Sequence, residues 1–178
     1  MKTNAKQMRN AIAEREKIIA QKEKRNVSFH EAGHAAICAR FGGYGVARVW
    51  RNTQKNVKAG EMAWRGSFSI FAEPGLMTTD EATRRQMGVL PTPENWRVLV
   101  GLAGLVAEKI AGGVSDAEAV FCSIEASINL EEVSETDINL MGDWQYPDVV
   151  AVMELLLGMW PDIEREAGHL AAGAEVGT

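Results

Sequence analysis

The chain has 178 residues, of which 46% are hydrophobic and 24% are charged, and this composition predicts one globular domain with its own core. A net charge of -5 argues against a general attraction to nucleic acid, so no nucleic-acid partner is expected. Cys38 and Cys122 are too few for a disulfide framework and fit a reducing compartment, which predicts a cytoplasmic protein. The longest apolar run, residues 98–107, is too short to cross a bilayer, and no apolar secretory signal is visible near the start.

The first 25 residues differ in charge from the rest of the chain. They hold eight Lys or Arg and three Glu, so the remainder carries a net charge of about -10. The apolar side chains of residues 6–24 predict a basic amphipathic helix, which forms a segment of its own (1–25) ahead of the main domain (26–178). We expect this helix to pack on the domain or to pair with a copy of itself in a homo-oligomer. Contact with a membrane surface or nucleic acid is the alternative.

The next predicted helix carries the pattern His-Glu-x-x-His, written here as His-Glu-Ala-Gly-His at residues 30–34. The spacing puts His30 and His34 one turn apart on the same face, where both rings can reach one zinc ion. Neutral imidazole suits zinc, and a carboxylate beside the metal, that of Glu31, can take up and return a proton. The pattern therefore predicts a zinc site with Glu31 as the catalytic base, and a chance pair of histidines is the alternative. Cys38 lies one turn further along and reads as a core residue.

Asn26 and Ser28 are candidate N-caps for this helix, which the glycines after residue 41 would end. Two extended segments follow it. Residues 45–51 and 60–71 are rich in β-branched and aromatic side chains, and a polar turn separates them. They predict a small antiparallel sheet beside the helix of the His-Glu-x-x-His pattern.

The second half of the chain is predicted to be helical. Residues 94–111 predict a strongly apolar helix, and its Gly101 and Gly104 indicate close approach to another helix, with Gly33 as the expected partner. Further helices are predicted over residues 79–87, in two pieces within 114–137, and over 146–160 and 162–172, the last two separated by Pro161. The predicted fold class is mainly α, a helical metallopeptidase domain with one small antiparallel sheet.

A zinc peptidase needs a third protein ligand, which leaves the fourth position for water. The remaining histidine, His169, lies in a polar, alanine-rich tail, so a carboxylate is expected. Candidates by type are Asp116, Glu118, Glu125, Glu131, Glu132, Glu135 and Asp137. Spacing alone does not choose among them.

Three segments resemble the peptidase domain of the FtsH-type ATP-dependent membrane proteases. Residues 30–35, His-Glu-Ala-Gly-His-Ala, are similar to the zinc motif of that family, residues 104–113 to its Gly-Arg-Ala-Ala-Glu-Glu-Leu helix, and residues 135–138 to its Asn-Asp-Leu segment. The resemblance covers roughly residues 27–144. It implies a Zn²⁺ ion held by His30, His34 and Asp137, with Glu31 as the base.

The chain also departs from the family's pattern. Leu105 stands where the family has arginine, and the acidic stretch after Gly113 is longer than usual, so Glu132 and Glu135 remain rivals to Asp137 as third ligand. The sequence contains no Gly-x-x-x-x-Gly-Lys-[Ser/Thr] phosphate loop and no membrane span, so we expect neither an ATPase motor nor a membrane anchor.

These features predict a zinc-dependent endopeptidase that acts without its own motor on unfolded or short peptides. The prediction leaves a separate unfolding ATPase open as a partner. Glu108, in the segment similar to the family's second motif, either orients a ligand histidine or is an ordinary helix charge. The alternative function is a catalytically silent zinc-binding module that serves interaction or regulation on the same scaffold.

Overall fold

The structure is a computed structural model that describes residues 2–52, 62–76 and 80–174, with side chains from residue 7. Over these residues the chain forms seven helices and one sheet of two antiparallel strands, so the predicted mainly helical fold is confirmed. Most of the predicted turn after residue 51 lies outside the described residues. In chain order the elements are α1 (Lys2–Arg40), β1 (Tyr44–Arg51), β2 (Trp64–Ala72), α2 (Glu81–Gln86), α3 (Trp96–Ala111), α4 (Ala117–Asn129), α5 (Glu135–Met141), α6 (Tyr146–Gly158) and α7 (Trp160–Gly173).

Helix α1 is a single element of 39 residues, and the predicted helix start at Asn26 or Ser28 is wrong. The hydroxyl of Ser28 donates a hydrogen bond to the carbonyl of Lys24 at 2.8 Å, a bond to the preceding turn inside a continuous helix. No glycine or proline interrupts this part of the chain, and the neighbouring Val27 and Phe29 are buried. Packing of these side chains on the rest of the protein therefore favours helix over a break.

The first half of α1 extends away from the domain. All side chains of residues 7–19 are exposed, including the apolar Met8, Ile12, Ile18 and Ile19. The expected packing of this part on the domain is therefore not found for the described side chains. Contact with the domain begins after it, where Glu23 accepts a hydrogen bond from the backbone N–H of Ala63 at 2.7 Å.

Helix α3 forms the centre of the core. Its residues 99–107 are all buried, as the strongly apolar sequence predicts, and it packs against α1, α5 and α6. The predicted close approach of helices is also found. A Cβ atom built on Gly33 of α1 would lie 2.5 Å from the carbonyl oxygen of Ala103, and one built on Gly101 would lie 2.8 Å from the backbone nitrogen of Met141. Glycine thus lets α3 approach both α1 and α5 at backbone distance.

The two strands pair antiparallel, with Val46 opposite Ser69. Side chains alternate along β2, so that Trp64, Gly66 and Phe68 face the helices while the residues between them are exposed. This face of β2 packs against α1 and brings the strand next to the histidines of residues 30–34.

The C-terminal helices follow the predicted order with shifted ends. The break between α6 and α7 falls at Met159, and Pro161 lies in the first turn of α7, where its missing N–H is not needed. Within the described residues, no helix combines the length and apolarity needed to cross a bilayer.

Candidate metal centre

The rings of His30 and His34 lie together on the inner face of α1. Their centroids are 4.6 Å apart at an interplanar angle of 77°, as expected for side chains one turn apart on one helix. His34 is 2% exposed, and the ring of Phe68 stacks on it at a centroid distance of 5.9 Å. Helix α1 and strand β2 therefore fix the orientation of this ring from two sides.

Helix α3 supplies a hydrogen-bond acceptor to the Nδ1 nitrogen of each ring. Nδ1 of His30 lies 2.6 Å from Oε1 of Glu108, and Nδ1 of His34 lies 2.7 Å from the carbonyl oxygen of Val100. Both acceptors require an Nδ1–H donor, which leaves the Nε2 lone pairs free for a metal when the rings are neutral. Of the two interpretations of Glu108 offered by the sequence, the one in which it orients a histidine matches this geometry.

Asp137, the third residue of α5, closes the arrangement. Its Oδ2 lies 3.3 Å from Nε2 of His30, and its Oδ1 lies 3.3 Å from Nε2 of His34. Two ligands of a tetrahedral zinc ion, each about 2.0–2.1 Å from the metal, are about 3.4 Å apart. Within the described part of the chain, this group of three side chains has its ligand atoms within 4.8 Å of one another.

Ser134 fixes the aspartate. Its hydroxyl donates to Oδ2 of Asp137 at 2.7 Å and accepts from the backbone N–H of Asp137 at 3.1 Å, so Ser134 is the N-cap of α5. The start of α5 therefore orients the carboxylate of Asp137, which only the family resemblance singled out in the sequence. The signal for Ser134 was present in the sequence as Ser-x-x-Asp, a form of the capping box.

The carboxyl group of Glu31 lies beneath strand β2. Glu31 is 5% exposed, and its Oε2 has no hydrogen-bond partner among the described atoms. A Cβ atom built on Gly66 would lie 2.6 Å from Cγ of Glu31 and would also touch Oε1, so the absence of a side chain at Gly66 makes room for this carboxyl group. Sequence reasoning missed Gly66, because only the fold brings a strand glycine over the motif helix.

Burial sets the acid–base properties of Glu31 and His34. Burial raises the pKa of Glu31 to about 7, although the positive charge of His30 opposes the shift. Burial likewise lowers the pKa of His34, and the charge of His30 lowers it further.

His30 and Asp137 shift each other's pKa in opposite directions. Burial would lower the pKa of His30, but its hydrogen bonds with Asp137 and Glu108 outweigh that effect and raise the pKa to about 10. Burial would raise the pKa of Asp137, but the interaction with His30 outweighs that effect and holds the pKa of Asp137 well below its usual range. Metal ligands must be deprotonated, so a cation at this position would compete with the proton on His30.

The other sequence candidates lie apart from this group. Glu132 and Glu135 are exposed, and neither joins the cluster of potential ligands among the described residues. Cys38 is fully buried in the hydrophobic core, as predicted. His169, on α7, is largely exposed, and its Nδ1 lies 3.9 Å from a carboxylate oxygen of Glu166.

Comparison with models of known protein families finds no match to this chain, and comparison with curated proteins finds none either. The family resemblance therefore stays an expectation drawn from three short segments. The functional argument rests on the geometry of the side chains around His30, His34 and Asp137.

Proposed function

We propose that the protein is a zinc-dependent endopeptidase with His30, His34 and Asp137 as metal ligands and Glu31 as the general base. One observation carries the proposal. Two imidazole nitrogens and a carboxylate converge at 3.3 Å separations, next to a buried carboxyl group that has an unpartnered oxygen.

The donor set favours zinc. Two imidazoles and one carboxylate are one of the three-ligand sets that hold catalytic zinc and leave one position open, whereas magnesium and calcium prefer oxygen ligands throughout. The hydrogen bonds from Nδ1 of each ring to Glu108 and Val100 are the supporting contacts that such ligands usually have. The residues present therefore fit the ion in type, in number and in spacing.

Each residue has a distinct chemical role. Zinc, when bound, supplies a Lewis acid that polarises a peptide carbonyl and lowers the pKa of water from about 15.7 to near 7. Glu31 removes a proton from the attacking water and returns it to the nitrogen of the leaving amine. Burial raises the pKa of Glu31 above its ordinary value, which favours proton uptake, and its Oε2, which has no hydrogen-bond partner among the described atoms, is available to hold the proton.

Strand β2 supports the proposal for an extended peptide substrate. In the described residues the sheet has two strands, so one edge of β2 carries no third strand, and its Gly66 and Phe68 contact Glu31 and His34. An unfolded or short peptide could add to such an edge by main-chain hydrogen bonds. We propose that folded substrates need a separate unfolding ATPase and that the protein acts in the reducing cytoplasm, a location that two free cysteines support.

The test compares zinc content with cleavage of an unfolded protein substrate. We expect Glu31→Gln to retain about one zinc ion per chain and to lose cleavage by about 10²- to 10⁴-fold, because only the base is removed. Asp137→Asn should lose both, whereas Glu132→Gln and Glu135→Gln, which change exposed carboxylates nearby, should lose neither.

Two results would contradict the enzyme proposal. Undiminished cleavage by the Glu31→Gln protein would exclude Glu31 as the base. A wild-type protein that holds zinc but cleaves no peptide would instead support the silent zinc-binding module.

A further inference from the structure

Gly104, at the middle of α3, faces the two nitrogens proposed to bind the metal. A Cβ atom built on it would lie 2.5 Å from Nε2 of His34 and 2.6 Å from Nε2 of His30. Real Cβ contacts are essentially never shorter than about 3.0 Å. Even the smallest side chain at position 104 would therefore displace a ligand ring or the helix itself.

The rings cannot move aside without losing contacts. Nδ1 of His30 is bonded to Glu108 and Nδ1 of His34 to the carbonyl of Val100, and both partners belong to α3, the helix that carries Gly104. Val100, Gly104 and Glu108 are each one turn apart, so one stripe of α3 supplies both acceptors and the space between them. A ring that turned away from residue 104 would break its own hydrogen bond.

The helix cannot readily move away either. It already touches α1 at Gly33, where a Cβ atom would lie 2.5 Å from the carbonyl oxygen of Ala103, and α5 at Gly101. The backbone between these contacts is fully buried, and close-packed cores resist such shifts. A Cβ atom built on Gly33 would also lie 2.8 Å from Cβ of Ala107, so contacts before and after Gly104 set the separation of α3 from the histidines.

Helix formation gives no reason for glycine at this position. Glycine is among the poorest helix formers, and alanine is the best. A glycine at a buried interior position is explained by what lies against it, and here that is the pair of Nε2 atoms.

We infer that Gly104 is a positioning residue of the proposed metal centre, whose missing side chain gives the two imidazoles the room to present Nε2 to the ion while keeping both Nδ1 hydrogen bonds. The inference rests on the proposed function for the identity of the ligands. The contact between residue 104 and the rings is independent of any bound metal.

The first experiment measures zinc affinity of the full chain by competition with a chelator. Gly104→Ala should weaken zinc binding about 10- to 100-fold or more, the range for residues that support metal ligands, with an unchanged far-UV circular dichroism spectrum. The matched control is Gly168→Ala in α7, because a Cβ atom there meets nothing within 4 Å. Wild-type affinity in the Gly104→Ala protein would overturn the inference.

The second experiment is a double-mutant cycle on thermal unfolding after removal of metal with a chelator. Gly104→Ala should lower Tm when both imidazoles are present and should leave Tm unchanged or raise it in the His30→Ala/His34→Ala background, where the methyl group has room. An equal drop in both backgrounds would show that Gly104 serves helix packing alone, and would overturn the inference.

The two experiments separate the inference from the proposed function. A wild-type protein that binds no zinc removes the proposed function, but the cycle still decides whether residue 104 acts through the rings. If the Gly104→Ala chain fails to fold with both rings present, its recovery without them supports the inference, and continued failure contradicts it.

Discussion

The two histidines of the candidate site are each held by a different kind of acceptor. His30 donates from Nδ1 to the carboxylate of Glu108, and His34 donates to the backbone carbonyl of Val100. Side-chain partners can be removed by mutation, whereas the carbonyl of Val100 stays with the helix whatever side chain that position carries. The Nδ1 hydrogen bond of His34 is therefore independent of the side chain at position 100, whereas the Nδ1 hydrogen bond of His30 depends on the side chain at position 108.

This difference makes Glu108 the sensitive contact of the site. We expect Glu108→Ala to weaken zinc binding about 10- to 100-fold, because the ring of His30 loses its only described Nδ1 partner. Glu108→Gln should cost less, since the amide oxygen can still accept the Nδ1 proton. Competition with a chelator measures both affinities.

The control for charge is Glu125→Ala, which removes the same charge from an exposed position on α4. It should leave zinc affinity unchanged. Equal effects of Glu108→Ala and Glu125→Ala would mean that net charge, rather than the hydrogen bond to His30, controls binding.

At the scale of elements, the contact between β2 and α1 holds the proposed base. Strand β2 passes over Glu31 at Gly66, and Val27 on the same helix lies against the same point. Phe68, two residues along the strand, lies on His34. One strand therefore covers both the proposed base and a proposed ligand.

Gly66→Ala should separate catalysis from metal binding. The added methyl group would press on Cγ of Glu31 and move the carboxyl group, so we expect cleavage to fall about tenfold or more while zinc content stays at the wild-type level. Ser69→Ala, on the exposed face of the same strand, is the control and should keep full activity. Loss of zinc in the Gly66→Ala protein would show instead that β2 supports the ligands.

The elements also show what the sequence could and could not predict. The apolar period of α3 and the aromatic, β-branched strands predicted those elements closely, because burial of one face leaves a direct pattern in the sequence. The continuity of α1 was not predicted, because Asn26 and Ser28 are of the residue types that usually cap the start of a helix. Tertiary burial of the neighbouring Val27 and Phe29 overrides that local signal.

The site was predictable to a similar extent. His30, Glu31 and His34 follow from their spacing alone, whereas Asp137 depended on a family resemblance, because contacts between distant segments leave no local pattern. The carbonyl of Val100 could not be predicted at all, since every residue carries one and only the fold selects it.

At the scale of the whole molecule, the two cysteines differ in their exposure to solvent. Cys38 is fully buried and Cys122 is exposed. Burial raises the pKa of the Cys38 thiol to about 11 from an ordinary value of 9.0. Because the unfolded chain ionises first, this thiol's contribution to stability is present below about pH 9 and is lost as the pH rises towards about 11.

Alkylation followed by mass spectrometry tests this arrangement. Near neutral pH we expect Cys122 to react in the native protein. Cys38 should react only when the domain unfolds globally, because its thiol is buried and only a small fraction of it is the reactive thiolate. Added denaturant should therefore bring modification of Cys38 along with the loss of circular dichroism. Rapid labelling of Cys38 in the native state would contradict the buried position.

The uninterrupted helix α1 has a geometric consequence for anything attached near its exposed end. Met8 and His30 lie on the same axis, so the 1.5 Å rise per residue separates them by about 33 Å along that axis. The continuity of α1 therefore predicts that a spin label at position 8 lies about 33 Å along the helix axis from a second label introduced at position 30, and double electron–electron resonance measures that separation.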